Sequence, residues 1–313
     1  MKISVIVTTF NGEKYIEEQL LSILRQTRQP DEVLISDDCS SDGTESIVKR
    51  FIEKNGLAEK AWHLKINDHN MGLWSNSHQT VMRSRGDILF WSDQDDVWLP
   101  DKIKQMAGFM ESESNALALS SRYFLVDSDL RRLKGLFVDN REGTGATTAK
   151  SLKYVLNTRN LAAQSLAVRR DLYEEILLKY DDSYIFFDTM IISYAAAKGS
   201  YYLMDMPLTL YRQHDSNCSG FIYGLGFMKK EGYSRPEAIR PQIKMMETRN
   251  IILSEFLSGT DKGLLAEALQ VAKKRLHYVE ERKIISLTGM LFSSNPYVNK
   301  KWIIADLLYL LLR

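Results

Sequence analysis

The residues with the clearest chemical potential are Asp93-Gln94-Asp95-Asp96, which follow directly on the apolar run Ile88-Leu89-Phe90-Trp91 and precede Val97-Trp98-Leu99-Pro100. Three carboxylates within four positions repel one another and are costly to desolvate unless a cation joins them. A hard divalent ion such as Mg²⁺ or Mn²⁺ removes that cost, typically taking one or two protein carboxylates together with the phosphate oxygens of a substrate. The pattern therefore points to a metal-bound diphosphate. A solvated acidic loop or a helix N-cap uses the same residue types; what favours the cation is the position at the end of a strand that is apolar throughout.

Asp37-Asp38 ends a second apolar run and is a second candidate. A carboxylate there can accept hydrogen bonds from a ribose or a base edge, or can cap the turn formed with Asp42-Gly43. The chain has neither GxxxxGK[ST] nor GxGxxG, so no P-loop or Rossmann turn cradles the phosphates, and another group must neutralise them.

These loops need a scaffold. The strand Ile3–Val7, the loop Thr8-Thr9-Phe10-Asn11-Gly12 and a helix carrying Tyr15, Ile16, Leu20, Leu21 and Leu24 form one strand–loop–helix unit. Val33–Ser36 and the helix bearing Ile47, Val48, Phe51 and Ile52 repeat it; Trp62–Ile66, a helix over Asn76–Arg85 and the strand Ile88–Trp91 continue it. Strands apolar on both faces need cover on both faces, which predicts a parallel sheet with crossover helices and ligands at the carboxyl ends of its strands. Beyond Pro100 the pattern is less regular: a strand over Leu117–Val126, a small polar loop over Gly143–Ala149, a short strand at Leu166–Val168 and a helix over Phe187–Ala197. From Pro236 long helical periodicities dominate, which places a boundary near residue 220.

The chain has 313 residues, 44% of them apolar and 26% charged, which suits one large domain or one and a half and excludes disorder, collagen and a disulfide-stapled miniprotein. Two cysteines, Cys39 and Cys218, are too few for a disulfide framework, so reduced thiols are expected. The N-terminal run ends at Thr8-Thr9 with no small-residue cleavage site and reads as a buried strand, not a signal peptide. No apolar stretch reaches membrane-spanning length; the run Trp302–Leu312 is interrupted by Asp306. Residues 221–313 hold 15 Lys and Arg against 9 Asp and Glu, while residues 1–220 hold 26 against 31, so the acidic part is expected to carry the chemistry and the basic part a contact surface.

Thr8-Thr9-Phe10-Asn11, Asp37-Asp38-Cys39-Ser40-Ser41-Asp42-Gly43-Thr44, Asn70-Met71-Gly72 and Asp93-Gln94-Asp95-Asp96 form an ordered set at strand ends. Over roughly residues 1–220 the chain resembles family 2 glycosyltransferases, and Ser92-Asp93-Gln94-Asp95-Asp96-Val97-Trp98 resembles their rhamnosyltransferase-like branch, which builds bacterial surface polysaccharides. The resemblance implies an α/β fold of the GT-A (nucleotide-diphospho-sugar transferase) type: a mostly parallel central sheet with helices on both faces and a helical C-terminal extension. It implies a catalytic domain over 1–220, with 1–115 binding nucleotide-sugar and 116–220 on the acceptor side, and a helical region over 221–313. Thr8, Phe10, Asn11, Glu13, Asp38, Asn70, Gly72, Asp93, Gln94 and Arg212 then bind the nucleotide-sugar, Thr8 and Phe10 lining the base pocket, Asp38 meeting base or ribose and Arg212 the diphosphate. Asp93, Asp95 and His214 hold Mn²⁺ or Mg²⁺, with Asp95 the direct ligand and Asp96 behind it or facing the sugar. Asp188, in Phe187-Asp188-Thr189-Met190, is the general base of an inverting transfer; by residue type alone it is also a helix cap, and Asp181 and Asp182 read as loop residues. Gly220 and Gly224 suit a loop that orders over bound nucleotide. Ala162-Ala163-Gln164-Ser165 departs from the Gly-Cys-Thr-like acceptor segment of many relatives, and the Arg that often follows Asn-x-Gly is absent around Trp74-Ser75-Asn76.

The expected donor is a dTDP- or UDP-sugar, with rhamnose the sugar the branch suggests, and the acceptor a surface glycan or lipid-linked glycan; no nucleic-acid partner is implied. Lys300-Lys301-Trp302, the leucines after it and Lys273-Lys274-Arg275 suit a helix resting on anionic lipid, which predicts a cytoplasmic protein peripheral to the inner face of the plasma membrane. Packing on the catalytic domain or in a homodimer is the other use of such a helix. Two other functions share part of this pattern: a sugar-nucleotide nucleotidyltransferase, which needs a Gly-rich basic loop that Thr8–Gly12 lacks, and a non-catalytic glycan- or nucleotide-binding module.

Overall fold

The computed structural model describes residues 1–134, 138–157, 162–177, 187–214 and 234–312. The chain folds as two compact units, the first formed by Met1–Leu133, Asp139–Lys150 and Asn160–Asn217, the second by Lys134–Val138, Ser151–Arg159 and Cys218–Arg313. Asp181, Asp182, Cys218, Gly220, Gly224 and the boundary expected near residue 220 lie outside the described residues. Strands are β1 (Ile3–Thr9), β2 (Glu32–Asp37), β3 (Trp62–Ile66), β4 (Ile88–Ser92), β5 (Val97–Trp98), β6 (Ala118–Val126), β7 (Thr147–Ala149), β8 (Leu166–Arg169) and β9 (Tyr201–Arg212). Helices are α1 (Ile16–Leu24), α2 (Thr44–Lys54), α3 (Leu73–Arg83), α4 (Lys102–Ser112), α5 (Leu152–Asn157), α6 (Arg170–Leu177), α7 (Phe187–Ala197), α8 (Arg235–Leu253), α9 (Gly259–Glu280), α10 (Ile284–Leu291) and α11 (Lys300–Leu312).

In the first unit the strand order is β3-β2-β1-β4-β8-β6-β9-β5, with β7 on β9. The β3-β2-β1-β4 half is parallel, as continuous apolar strands require. The other half is mixed: β8 runs antiparallel between β4 and β6, β9 pairs parallel with β6, and β5 and β7 pair antiparallel with β9. Side chains alternate across a strand, so Ile88 and Phe90 of β4 face one way and Leu89 and Trp91 the other. The first face packs with Ile3, Val5 and Val7 against α1, α2 and α4. On the second, Trp91 meets Tyr173 of α6 and Phe187 of α7, and Trp74 of α3 also meets Phe187, giving the expected cover on both sides.

Several elements, α4, β7 and β9 among them, have no counterpart in the sequence reading. α4 carries Ile103, Met106, Ala107 and Met110 on one buried face, and Lys102 shares that phase. β9 is interrupted by Asp205 and Pro207, which hide its strand character; Pro207 lies opposite Arg122 where the β6·β9 register shifts, an irregularity that tolerates a residue with no N–H. β7 occupies the second half of the stretch read as a loop. The helix predicted over Asn76–Arg85 begins three residues earlier, at Leu73, behind Gly72, whose φ of +84° demands glycine.

The second unit is helical, with Ile239, Ile243, Leu287, Ile303 and Leu310 in its core. Asp306, fully buried, accepts from Arg235 Nε at 2.7 Å and from Arg275 Nε and Nη2 at 2.5 and 2.8 Å. Both guanidiniums face the Trp302 ring, 5.0 and 5.6 Å from its centre. The aromatic residue expected at a lipid interface is therefore packed against two arginines inside this unit. Among the described residues no helix is long and apolar enough to cross a membrane. Asp306→Ala removes the carboxylate that two buried guanidiniums share, and urea unfolding is expected to register a loss of about 3–5 kcal/mol.

Candidate active site

The register places the functional loops on one margin of the sheet. Val7 lies opposite Ser92, Thr9 opposite Asp37, and Asp37 opposite Ile66. The segments after β1, β2, β3 and β4 therefore emerge together, at carboxyl ends where parallel α/β sheets bind ligands.

Polar side chains stitch these loops to each other. Gln94 Oε1 accepts from Thr9 Oγ1 at 2.7 Å and from Phe10 N–H at 2.8 Å, while Gln94 Nε2 donates to Phe10 O at 3.1 Å. A Cβ on Gly12 would stand 2.3 Å from Gln94 Oε1, so glycine is what permits this clamp. Asn11, at φ +49°, donates its N–H to Ser40 Oγ and accepts from Ser41 N–H; Glu13 accepts from Gly43 N–H at 2.7 Å. Asp38 is buried and accepts from Asn67 Nδ2, Met71 N–H and Gly72 N–H at 2.9–3.0 Å. Its carboxylate, expected to meet base or ribose, is turned to the Asn70-Met71-Gly72 loop, where Asn70 Oδ1 accepts from Gly72 N–H. Thr8 is buried at the base of this margin, and Phe10 stands 44% exposed above it.

The acid loop divides its carboxylates among different partners. Asp96 is fully buried; its Oδ1 accepts from Arg212 N–H at 3.0 Å and its Oδ2 has no hydrogen-bond partner among the described residues. Burial, with Asp95 and Asp93 close by, pushes the Asp96 carboxyl well above its ordinary range. Asp96, expected behind Asp95 or facing the sugar, is thus held within the loop by the Arg212 amide. Burial, then Asp95 and then Asp188, push the Asp93 carboxyl up to about 7, with Lys102 acting the other way. Asp188, in the first turn of α7, thus lies within electrostatic reach of the acid loop although far from it in sequence. Burial pushes Asp188 up to about 6; N–H groups of Thr189 and Ala163 and the Thr189 hydroxyl oppose that rise, Thr189 N–H at 2.6 Å.

Asp95 Oδ2 and His214 Nε2 are 2.9 Å apart, and the imidazole lies on Tyr15 with ring centres at 4.9 Å. Among the described residues no three His, Cys, Asp or Glu side chains converge as a metal-binding set, so Asp93, Asp95 and His214 are not assembled as a triad. Like charges separate, and Asp95 turns to the imidazole. The adjacent carboxylate and imidazole nonetheless fit a divalent ion that completes its shell with diphosphate oxygens and water.

Arg212, expected on the diphosphate, is 2% exposed. Its guanidinium donates to Asp95 O at 2.7 Å, to Ser128 O at 2.5 Å and to Glu18, and lies 4.4 Å from the Tyr15 ring centre. It holds the acid loop from beneath. Lys102, Glu18 and Gln19 were not found from sequence. Lys102 and Gln19 are both fully buried, and the signal for each is a polar residue in the apolar phase of a helix. Gln19 Nε2 donates to Ser92 Oγ at 2.5 Å, at the end of β4.

Among proteins of known name, dTDP-rhamnosyl transferase RfbG of Shigella flexneri is 28% identical over 243 residues, 68% of this chain and 73% of that protein. The putative teichuronic acid biosynthesis glycosyltransferase TuaG of Bacillus subtilis is 32% identical, over 41% of this chain and 48% of its own length. Among solved structures, Staphylococcus aureus TarS 1–349 superposes with a TM-score of 0.62 at 17% identity, covering 99% of this chain and 89% of that one. The mannosyltransferase PcManGT of Pyrobaculum calidifontis, solved with GDP-Man and Mn²⁺, gives a TM-score of 0.54 at 17% identity over 99% and 86%. These likenesses establish a GT-A-like fold. The family model for glycosyl transferase family 2 matches residues 4–177, more than half of the chain, and the chain belongs to that family of glycosyltransferases.

Proposed function

We propose that the chain is a metal-dependent, inverting glycosyltransferase that moves a sugar from a dTDP- or UDP-sugar to a growing bacterial surface or lipid-linked glycan. The observation that carries this reading is the gathering of the loops after β1, β2, β3 and β4 at one sheet margin, with Asp95 Oδ2 2.9 Å from His214 Nε2 there and Asp188 within electrostatic reach of Asp93. The relative named as a dTDP-rhamnosyl transferase supports rhamnose as the donor sugar.

In the transfer an acceptor hydroxyl oxygen bonds to the anomeric carbon, the bond from that carbon to the phosphate oxygen breaks with its electron pair, and Asp188 takes the hydroxyl proton. Asp95 and His214 would hold Mn²⁺ or Mg²⁺, which when bound neutralises charge on the departing diphosphate. Thr8 and Phe10 line the base side. Asn11, Glu13, Asp38, Asn70, Gly72 and Gln94 shape the donor loops through the hydrogen bonds described above, and Asp93 faces the donor. Arg212 supports this site by positioning Asp95, not by touching diphosphate. The described portion of 1–220 serves as the catalytic domain and that of 221–313 as the contact region.

That contact region supports a place at the inner membrane face. Arg282 Nη2 donates to Leu310 O at 3.0 Å, which brings exposed Ile284 and Ile285 near exposed Leu311 and Leu312. Exposed Arg282 and Lys283 border them, each basic residue contributing about 1 kcal/mol of attraction to anionic lipid. Vesicles of phosphatidylglycerol should sediment the wild-type chain and release the Ile285→Asp, Leu311→Asp double variant. A chain that ignores such vesicles and runs as a dimer would assign the patch to a second copy.

Asp188→Asn should keep nucleotide binding and lower transfer by about 10²–10⁴-fold, the scale of a lost general base. The wild-type kcat/KM should fall about tenfold per pH unit below about 6, because the base acts only when deprotonated and burial holds its carboxyl near that value. Transfer by Asp188→Asn at the wild-type rate would falsify the base assignment. In thermal-shift titrations with UDP and dTDP, Mn²⁺ should raise the wild-type midpoint further, since ligand bound to the native state stabilises it. That increment should vanish in Asp95→Ala and survive in Asp188→Asn.

A further inference from the structure

Lys102 is fully buried at the first turn of α4. Its Nζ donates to the carbonyl of Gln164 and to Thr209 Oγ1, the latter at 2.9 Å, and stands 4.2 Å from the centre of the Trp98 ring. An ammonium taken out of water is costly unless fixed acceptors and nearby negative charge replace the solvent. Burial lowers the Lys102 amine to about 7, while Asp96 and Asp93 act the other way and favour the charged form that the two fixed acceptors receive.

The two acceptors belong to the two halves of the proposed machinery. Gln164 lies in the 3-10 turn Ala163–Ser165, whose Ala163 amide stabilises the Asp188 carboxylate. Thr209 lies opposite Trp98 in the β5·β9 pairing, and β9 runs on to Arg212, the residue that braces Asp95 and Asp96. One ammonium therefore fastens the turn beside Asp188 to the strand that carries the acid-loop brace.

We infer that Lys102 is a positioning residue for transfer: by gripping the Gln164 carbonyl and the Thr209 hydroxyl it fixes the Ala163–Ser165 turn and, through it, the orientation of Asp188. Lys102 does not touch the donor, and its effect passes through the base. The inference rests on Asp188 as the general base. It predicts that loss of Lys102 is felt in kcat and not in donor KM, since the acid loop keeps its brace from Arg212.

The test follows release of nucleoside diphosphate from dTDP-rhamnose and from UDP-GlcNAc, with water as acceptor, in Lys102→Met, Thr209→Val, Asp188→Asn and the two double variants with Asp188→Asn. Lys102→Met should lower kcat by about 10–100-fold with donor KM within about twofold, and should add nothing once Asp188 is Asn, because interactions acting through one group are not additive. Thr209→Val removes one acceptor and leaves the ammonium, so it stays informative should Lys102→Met fail to fold; it should give a smaller loss of the same kind. Equal losses in the wild-type and Asp188→Asn backgrounds, or a rise in KM with kcat intact, overturn the inference while leaving the base assignment standing. Full activity of Asp188→Asn by itself overturns the base assignment and the inference with it.

Discussion

Negative charge concentrated at the end of β4 is the constraint around which this site is built. Asp93, Asp95 and Asp96 cannot all be ionised side by side in partly dry surroundings without compensation. Each is dealt with differently. Asp96 is buried against the Arg212 amide with its carboxyl raised, Asp95 meets His214, and Asp93 is raised by burial and then by Asp95 and Asp188. Arg212 braces the loop through its backbone N–H to Asp96 and its guanidinium to the Asp95 carbonyl.

The mixed half of the sheet explains how Asp188, distant in sequence, reaches that loop. β8 inserts antiparallel between β4 and β6, so the Ala163–Ser165 turn that leads into it lies beside the carboxyl end of β4. Phe187, at the start of α7, packs on Trp91 and Trp74, and that aromatic contact sets Asp188 one residue further on. β9 closes the arrangement, carrying Thr209 to Lys102 and Arg212 to the acid loop. The stability of this framework and the geometry of the chemistry are thus written in the same contacts.

The second unit shows how a composition signal can be right about residue type and silent about role. A Trp flanked by lysines and followed by leucines suits a lipid interface, yet Trp302 is held between Arg235 and Arg275 by the demand of buried Asp306 for partners. What α10 and α11 leave outward are aliphatic side chains bordered by basic ones, a different surface from the one the linear pattern suggests.

The alternation of apolar runs with polar loops determined the parallel β3-β2-β1-β4 half, and the order of Thr8–Asn11, Asp37–Thr44, Asn70–Gly72 and Asp93–Asp96 determined the family, because local periodicity and motif spacing are properties of neighbouring residues. Tertiary structure alone decided which carboxylate faces which partner. Asp38 turns to a loop amide, Asp96 to a buried amide and Arg212 away from the open side, since those choices follow from which N–H groups lie near once the strands are in register. The same reason hid Lys102 and β9: a buried ammonium and a strand interrupted by Asp205 and Pro207 make sense only beside Gln164, Thr209 and the β6 irregularity, contacts that no run of adjacent residues encodes.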